Sequence, residues 1–298
     1  MYHIPVLLKE SVELLGIKPD GTYVDVTFGG GGHSREILAR LGKKGRLIAF
    51  DQDADAMANA PSDGRFTLIR NNFRFVHGCL KALGVEQVDG VLADLGVSSH
   101  HFDTPERGFS FRFAGELDMR MNQSSALTAA SVVNNYDTQA LATIFGRYGE
   151  IDKPFRLASA IERYRALSPL QTIDQLLEAV APCTPAGGES KFRAKLFQAL
   201  RIEVNGEIAS LEMMLRGAKS LLVQGGRLSV ISYHSLEDRL VKDFMRSGNF
   251  EGQTQTDFFG NSLSPFKELS RKVIVPSEHE IEQNPRARSA KLRAAAKL

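Results

Sequence analysis

The stretch TYVDVTFGGGGHSREILARLGKKGRLIAFD, residues 22–51, decides the fold. TYVDVTF (22–28) and GRLIAFD (45–51) are β-rich runs, and HSREILARLG between them carries a helical pattern. FTLIRNNF (66–73) and VDGVLADLGVSS (88–99) continue the rhythm at similar spacing, with another helical stretch expected from Ala54. Strands that alternate with helices imply a parallel sheet covered on both faces. The expected class is therefore α/β. In open sheets of this kind a ligand sits beyond the carboxyl ends of the strands. Gly29 to His33, Asp51, Phe73 and Asp94 to Ser99 occupy those places.

The rhythm lapses over residues 105–195, where ALTAASVVNNY, TQALATIFGRYG, PFRLASAIERYRAL and TIDQLLEAVAPC follow one another. Apolar residues recur there at three- and four-residue spacing, as in Leu141, Ile144 and Phe145, which marks amphipathic helices. Pro182, Pro185, Gly187 and Gly188 mark a loop near the end of this region. LFQALRIEVNGEIASLEMMLRGAKSLL (196–222) reads as one long helix. The sheet then resumes with GGRLSVISY (225–233), a helix over SLEDRLVKDFMR, and two late segments, RKVIV and SAKLRAAAKL. In the last of these Ala290, Leu292 and Ala294 alternate with Lys291 and Arg293, the pattern of a strand with one buried face, although alanine and lysine also favour helices. The expected partition is a core in two parts, 1–104 and 196–298, interrupted by a helical insertion over 105–195.

A chain of 298 residues with 43% hydrophobic and 24% charged residues can bury a real core and is neither disordered nor a coiled coil. No run approaches the roughly 20 apolar residues of a membrane span. MYHIPVLLKESVELL carries acids too early for a signal peptide, so a cytoplasmic protein is expected. Cys79 and Cys183 stand far apart, which excludes a disulfide framework and a cysteine-rich zinc site. Lysine plus arginine (37) exceed aspartate plus glutamate (35) by only 2, too little to hold nucleic acid by bulk charge. The excess is local. PRARSAKLRAAAKL, from Pro285 onward, holds five basic residues and no acid, which leaves 32 against 35, or −3, for the rest of the chain.

Four consecutive glycines, Gly29 to Gly32, let the backbone pass close to a ligand, because no side chain intervenes and positive φ costs little. The dinucleotide fingerprint G-x-G-x-x-G is incomplete here, since Ser34 or Arg35 falls at its last place. Asp51 can accept hydrogen bonds from the ribose hydroxyls of a dinucleotide or of S-adenosylmethionine. Alternatively, Asp51 or Asp53 caps a helix over ADAMANA. Asp94, at the end of the fourth β-run, can accept a proton or hydrogen bond from a substrate amine. Ser98 and Ser99 lie outside a G-x-S-x-G elbow, adjacent His100 and His101 point apart, and H-E-x-x-H is absent. Neither a serine hydrolase nor a metal site is expected.

Eight segments, in order, resemble the bacterial 16S ribosomal RNA (cytosine-N4)-methyltransferase family. They are HIPVLLKE, DVTFGGGGHS, ADLGVSS, ERGFSFR, LDMRM (117–121), FQALRIEVNGE (197–207), GGRLSVISYHSLEDRLVK (225–242) and NPRARSAKLR (284–293). The resemblance implies a Rossmann-like class I methyltransferase sheet with an inserted helical subdomain that recognises substrate. It implies S-adenosyl-L-methionine as cofactor and the N4 amine of a cytosine as acceptor, in 16S rRNA within the small ribosomal subunit. No membrane is implied, and a homodimer is left open. Carried over by position, the cofactor contacts are Gly31, Gly32, His33, Asp51, Phe73, Asp94 and His101. The family's frequent FGRGGHS has an arginine where this chain has Gly30, and its usual Pro-Gln is replaced by His100-His101.

The exocyclic amine of cytosine is a poor nucleophile because its lone pair is delocalised into the ring, so positioning must supply much of the rate. Asp94 or a neighbouring backbone carbonyl would accept a hydrogen bond from the amine and help remove its proton. A base splayed out of RNA wants an aromatic or arginine face. Phe109 and Phe111 in ERGFSFR, and Tyr233 or His234 in SYHSLEDR, are candidates. Arg107, Arg112, Arg120, Arg286, Arg288 and Arg293 are candidate phosphate partners, each with a carboxylate partner or a solvated face as the alternative. The expected substrate contacts are Phe109, His234, Arg286 and Arg288. A nicotinamide-dependent oxidoreductase would share the glycine loop and the acid but prefer the complete third glycine. A non-catalytic RNA-binding factor would keep the basic tail and transfer no methyl group.

Overall fold

The computed structural model describes residues 5–97, 99–260, 263–270 and 272–298. They fall into two compact units, Met1–Gly96 with Ile208–Leu298, and Val97–Glu207. Among the described residues of the first unit a seven-stranded sheet runs in the order β3-β2-β1-β4-β5-β7-β6. Its strands are β1 Thr22–Asp25, β2 Arg46–Asp51, β3 Phe66–Arg70, β4 Val88–Asp94, β5 Leu222–Ser232, β6 Phe266–Glu268 and β7 Lys291–Lys297. Strands β1 to β5 pair in parallel, and β7 is antiparallel to both β5 and β6. This is the α/β Rossmann-like architecture. The strand order turns back between β1 and β4, and that switch point puts Asp25 and Asp94, the last residues of those strands, at the same carboxyl edge.

Helices α1 (Leu8–Leu15), α2 (Gly32–Arg40) and α3 (Val76–Ala82) accompany the first strands. Successive strand residues face opposite sides, so each side of the sheet needs its own cover. Tyr23, Leu47 and Leu92 pack with Val12 and Leu15 of α1 and Ile37 of α2. Val24, Ile48, Phe50 and Val91 pack on the other side with Val76 and Leu80 of α3. Burial on both faces explains why these strands are continuous apolar runs rather than alternating ones.

The second unit holds α4 (Ser99–Asp103), α5 (Ala129–Asn135), α6 (Thr138–Gly149), α7 (Pro154–Arg165), α8 (Ile173–Val180) and α9 (Glu189–Asn205). Thr128 and Asp137 cap α5 and α6, and Thr172 with Gln175 forms a reciprocal capping box on α8. Leu141 and Phe145 of α6, Leu157 and Ile161 of α7, Leu176 of α8 and Leu200 of α9 share one core. Arg107 is buried, and its Nη2 donates to the carbonyls of Arg120 and Met121, each at 3.0 Å. Asn205 accepts the Met121 N–H at 2.8 Å and donates to the Met119 carbonyl at 2.8 Å. Three of the quoted segments, ERGFSFR, LDMRM and FQALRIEVNGE, thus meet in one internal lock of this unit.

The chain returns to the first unit through α10 (Glu207–Leu221), α11 (Ser235–Ser247) and α12 (Glu278–Gln283). The single helix expected over 196–222 is two helices, because Gly206 adopts φ 57° and closes α9 with its N–H bonded to the carbonyls of Ile202 and Glu203. The helix expected from Ala54 is one 3-10 turn, Asp55–Asn59, in which Ala56 alone is buried, so no apolar face exists to hold a longer helix. SAKLRAAAKL is the strand β7, not a frayed helix. Of the other late segment, RKVIV, the described residues 272–275 form no strand: Ile274 makes one isolated bridge to Leu292, with Pro276 removing a donor two residues on, and the edge strand is Phe266–Glu268.

At Gly206 an added Cβ meets nothing within 4 Å, so only the backbone conformation resists substitution. Gly206→Ala is expected to destabilise the protein by about 1 kcal/mol. Equilibrium urea unfolding measures it, and an unchanged midpoint would contradict the left-handed turn.

Candidate active site

The loop after β1 is built by backbone geometry. Phe28 N–H donates to the Phe50 carbonyl at 2.8 Å, and Gly31 N–H donates to the Phe28 carbonyl at 2.7 Å. Gly29 (φ 52°) and Gly31 (φ 76°) take left-handed conformations that favour glycine. An added Cβ at Gly32 would lie 2.0 Å from Pro5 Cγ, whereas at Gly29 it would face open space. Asp51 clamps this loop from the end of β2. Its Oδ2 accepts the Gly29 N–H at 2.7 Å and its Oδ1 accepts the Asp53 N–H at 2.8 Å. The helix-cap alternative fails: the 3-10 turn begins after Ala54 with no side-chain cap, and Asp53 Oδ1 accepts the Asp55 N–H at 3.1 Å in the turn that precedes it. Asn59 Nδ2 donates to the Gly29 carbonyl at 3.1 Å and steadies the loop from the far side.

Behind the loop lies a polar cluster. Asp25 is fully buried and accepts from Ser34 Oγ at 2.7 Å and from the Thr27 N–H at 3.1 Å. Burial pushes its carboxyl above the usual range. Thr27 Oγ1 in turn accepts the Asp94 N–H at 2.6 Å. The Asp94 side chain is 19% exposed, with Tyr233 Oη donating to Oδ1 at 2.7 Å and His33 Nδ1 standing 3.8 Å from Oδ2. Burial pushes Asp94 up to about 6, against the opposing pull of His33 and of the Tyr233 hydroxyl. A carboxylate so placed is ionised at neutral pH yet basic enough to take a proton.

The structure brings Gly31, Gly32, His33, Asp51 and Asp94 to the carboxyl edge of β1, β2 and β4. Phe73 opens a 3-10 turn after β3, partly buried, beside Asn72, whose Nδ2 donates to Gln52 Oε1 at 2.8 Å. His234 caps α11, its Nδ1 accepting the Glu237 N–H at 3.4 Å. Arg286 and Arg288 are exposed on a 3-10 turn, Pro285–Ser289. Arg293 and Lys291 instead meet Asp238 at 2.7 and 3.1 Å, and Arg120 meets Asp118 at 2.6 Å. His101 and Phe109 belong to the helical unit, where both are buried with ring centroids 4.9 Å apart. Stacking of Phe109 on a base would require its ring to leave that contact. Sequence reasoning missed Asp25, Ser34 and Thr27 as a group, although D-x-T followed by a serine inside the helix start was there to be seen.

The model of the MraW methylase family matches residues 1–298. The chain belongs to the MraW methylase family. The protein named ribosomal RNA small subunit methyltransferase H of Parabacteroides distasonis is 58% identical over 100% of this chain and 98% of its own. Its namesakes in Bacteroides thetaiotaomicron and Flavobacterium johnsoniae are 59% and 55% identical, over 99% and 100% of this chain and 97% and 98% of theirs. The resemblance carried by the eight segments is borne out. Among solved structures, TrmN from Thermus thermophilus aligns with a TM-score of 0.44 at 13% identity over 98% of this chain and 48% of that one, too distant a likeness to bear on the site.

A methylase of the MraW family needs a methyl donor, and the carboxyl edge of this sheet suits S-adenosylmethionine. Asp51 stands at the end of β2 with both carboxylate oxygens turned to the loop, the backbone at Gly29 faces open space, and Phe73 follows β3. Asp51→Ala is expected to weaken S-adenosylmethionine binding at least about tenfold, given about 1.5–3 kcal/mol for a hydrogen bond to a charged group. Calorimetric titration alongside a separate unfolding curve measures this, and wild-type affinity in a folded variant would remove Asp51 from the cofactor site.

Proposed function

We propose that this protein methylates the exocyclic N4 amine of a cytosine in 16S rRNA of the small ribosomal subunit, at a site organised by Asp94. The observation that carries the reading is the family match along the whole chain, joined to a raised, ionisable carboxylate at the switch point of the sheet. The enzyme depends on S-adenosylmethionine, which supplies an electrophilic methyl group when bound. Gly31, Gly32 and His33, with Asp51 and Phe73, hold the cofactor. Asp94 accepts a hydrogen bond from the amine, localises its lone pair and takes its proton. That need for an ionised acceptor makes the rate rise with pH through about 6.

The helical insertion recognises rRNA. His234 is the proposed substrate contact in the sheet unit: its Nδ1 accepts a backbone N–H, which leaves Nε2 as the donor. Nε2 is buried and lacks a hydrogen-bond partner among the described residues, although Glu237 Oε1 lies 3.3 Å away without the alignment of a hydrogen bond. A buried donor of this kind is costly until an acceptor reaches it. Arg286 and Arg288 supply phosphate contacts. The enzyme works in the cytoplasm, and among the described residues no helix is long and apolar enough to cross a membrane.

Two measurements test the reading. Asp94→Ala should lower single-turnover methylation of small-subunit particles by about 10²–10⁴-fold, with the modified base mapped by mass spectrometry; normal turnover would confine Asp94 to a structural part. Replacing Arg286 and Arg288 by glutamine should weaken rRNA binding and reduce the slope of log affinity against log salt by about 1–2. An unchanged slope would take both arginines out of the interface.

A further inference from the structure

Tyr233 follows β5 directly and does not present its ring as an open stacking face. The ring packs beside Val6, Leu7 and Ile231 and against Gly96, where an added Cβ would come within 3.4 Å of Cδ2. Its backbone N–H donates to Glu237 Oε2 at 2.9 Å, and Glu237 is itself buried. Its hydroxyl donates to Asp94 Oδ1 at 2.7 Å. Burial first, then Asp94, Glu237 and Glu280, hold the phenol well above its ordinary range. Tyr233 therefore stays protonated wherever the enzyme works, and toward Asp94 it can only donate.

The other oxygen of Asp94 faces His33, on α2. His33 Nε2 lies 3.2 Å from the Val6 carbonyl, and a carbonyl cannot donate. Nε2 accordingly carries the proton, and in the neutral ring Nδ1 presents a lone pair toward Oδ2 across 3.8 Å. Two acceptor atoms facing one another repel until a single proton enters between them. The remaining charges around Asp94 are Asp25 from β1 and Glu237 from α11, which both disfavour its ionised form, while the Tyr233 hydroxyl and, once its ring carries a second proton, His33 favour it.

We propose that Tyr233 and His33 make Asp94 a one-proton acceptor: Tyr233 is a positioning residue that occupies Oδ1, so that the proton leaving the amine settles on Oδ2, the oxygen that faces His33 Nδ1. The proposal rests on Asp94 being the proton acceptor. In this step the N–H bond breaks and its electron pair stays on nitrogen, which loses the positive charge gained with its new methyl group. The proton forms an O–H bond at Oδ2, nothing is oxidised or reduced, and the proton passes to water after the product departs. Without the Tyr233 hydroxyl both oxygens would compete for the proton, and the carboxylate would lose the donor that holds its charge.

The test uses the full chain, with ¹³C-labelled aspartate, as wild type and Tyr233→Phe, and Asp94→Asn to assign the resonance. NMR follows the Asp94 titration directly, and single-turnover methylation of small-subunit particles follows the acid limb of the rate. Loss of a donor to the charged form should raise the Asp94 midpoint by about one unit. The acid limb should move with it toward higher pH, and the rate should return above both midpoints. Fluorotyrosine at position 233, a stronger donor, should shift both in the opposite direction and covers the case of a misfolded phenylalanine variant. A midpoint that stays put in the variants overturns the array. A midpoint that moves while the acid limb stays overturns Asp94 as the acceptor, and the proposal with it. A rate lost equally at every pH reduces Tyr233 to a structural part and overturns its positioning role.

Discussion

A carboxylate sealed at the end of β1 governs the geometry of the whole carboxyl edge. Asp25 has no contact with solvent, and its oxygens accept from Ser34 on α2 and the Thr27 amide in the loop. Thr27 then passes the constraint to β4 by accepting the Asp94 N–H. One buried acid thus fixes three elements: the start of the helix, the turn of the loop and the height of the neighbouring strand. Burying it is tolerable only because donors converge on it, and each donor is also committed to a piece of the site. The raised affinity of Asp94 for protons follows from the same enclosure, since the acid beside it and the apolar strands behind it both resist a second charge.

The parts of the fold that were legible in the sequence are those with strong local periodicity or two-sided burial. Strands β1, β2 and β4 show as apolar runs because helices cover both faces, and β7 shows as an alternation ending in alanines. β6 was not legible: three residues with only Phe266 buried leave no pattern above background. The break at Gly206 was legible and passed over, since Asn-Gly after a helical run is a stop signal. Of the site, the glycine loop, Asp51 and Asp94 announce themselves by position after a strand. Tyr233 does not, because its residue type suggests stacking while its direction depends on Gly96 and Glu237, partners distant in sequence or set by a turn.

Charge read from composition overstated the reach of the tail. Of its five basic residues, Lys291 and Arg293 converge on Asp238 and Lys297 donates to the Leu222 carbonyl. They hold β7 to the body of the unit. Arg107 shows the same limit elsewhere, as a cation enclosed to bind two carbonyls rather than a phosphate. A guanidinium spent on internal carbonyls and one offered to RNA look alike in a sequence, because the difference lies in what surrounds them.

The position of β7 bears on how the chain is made. It is the last strand in sequence but lies inside the sheet, between β5 and β6. During synthesis β5 therefore presents an unpaired edge, bordered by Leu228, Val230 and Ile231, until residues 291–297 have left the ribosome. An exposed apolar edge is a template for pairing with other chains. Nascent chains stalled before that strand are for this reason the aggregation-prone species of this protein.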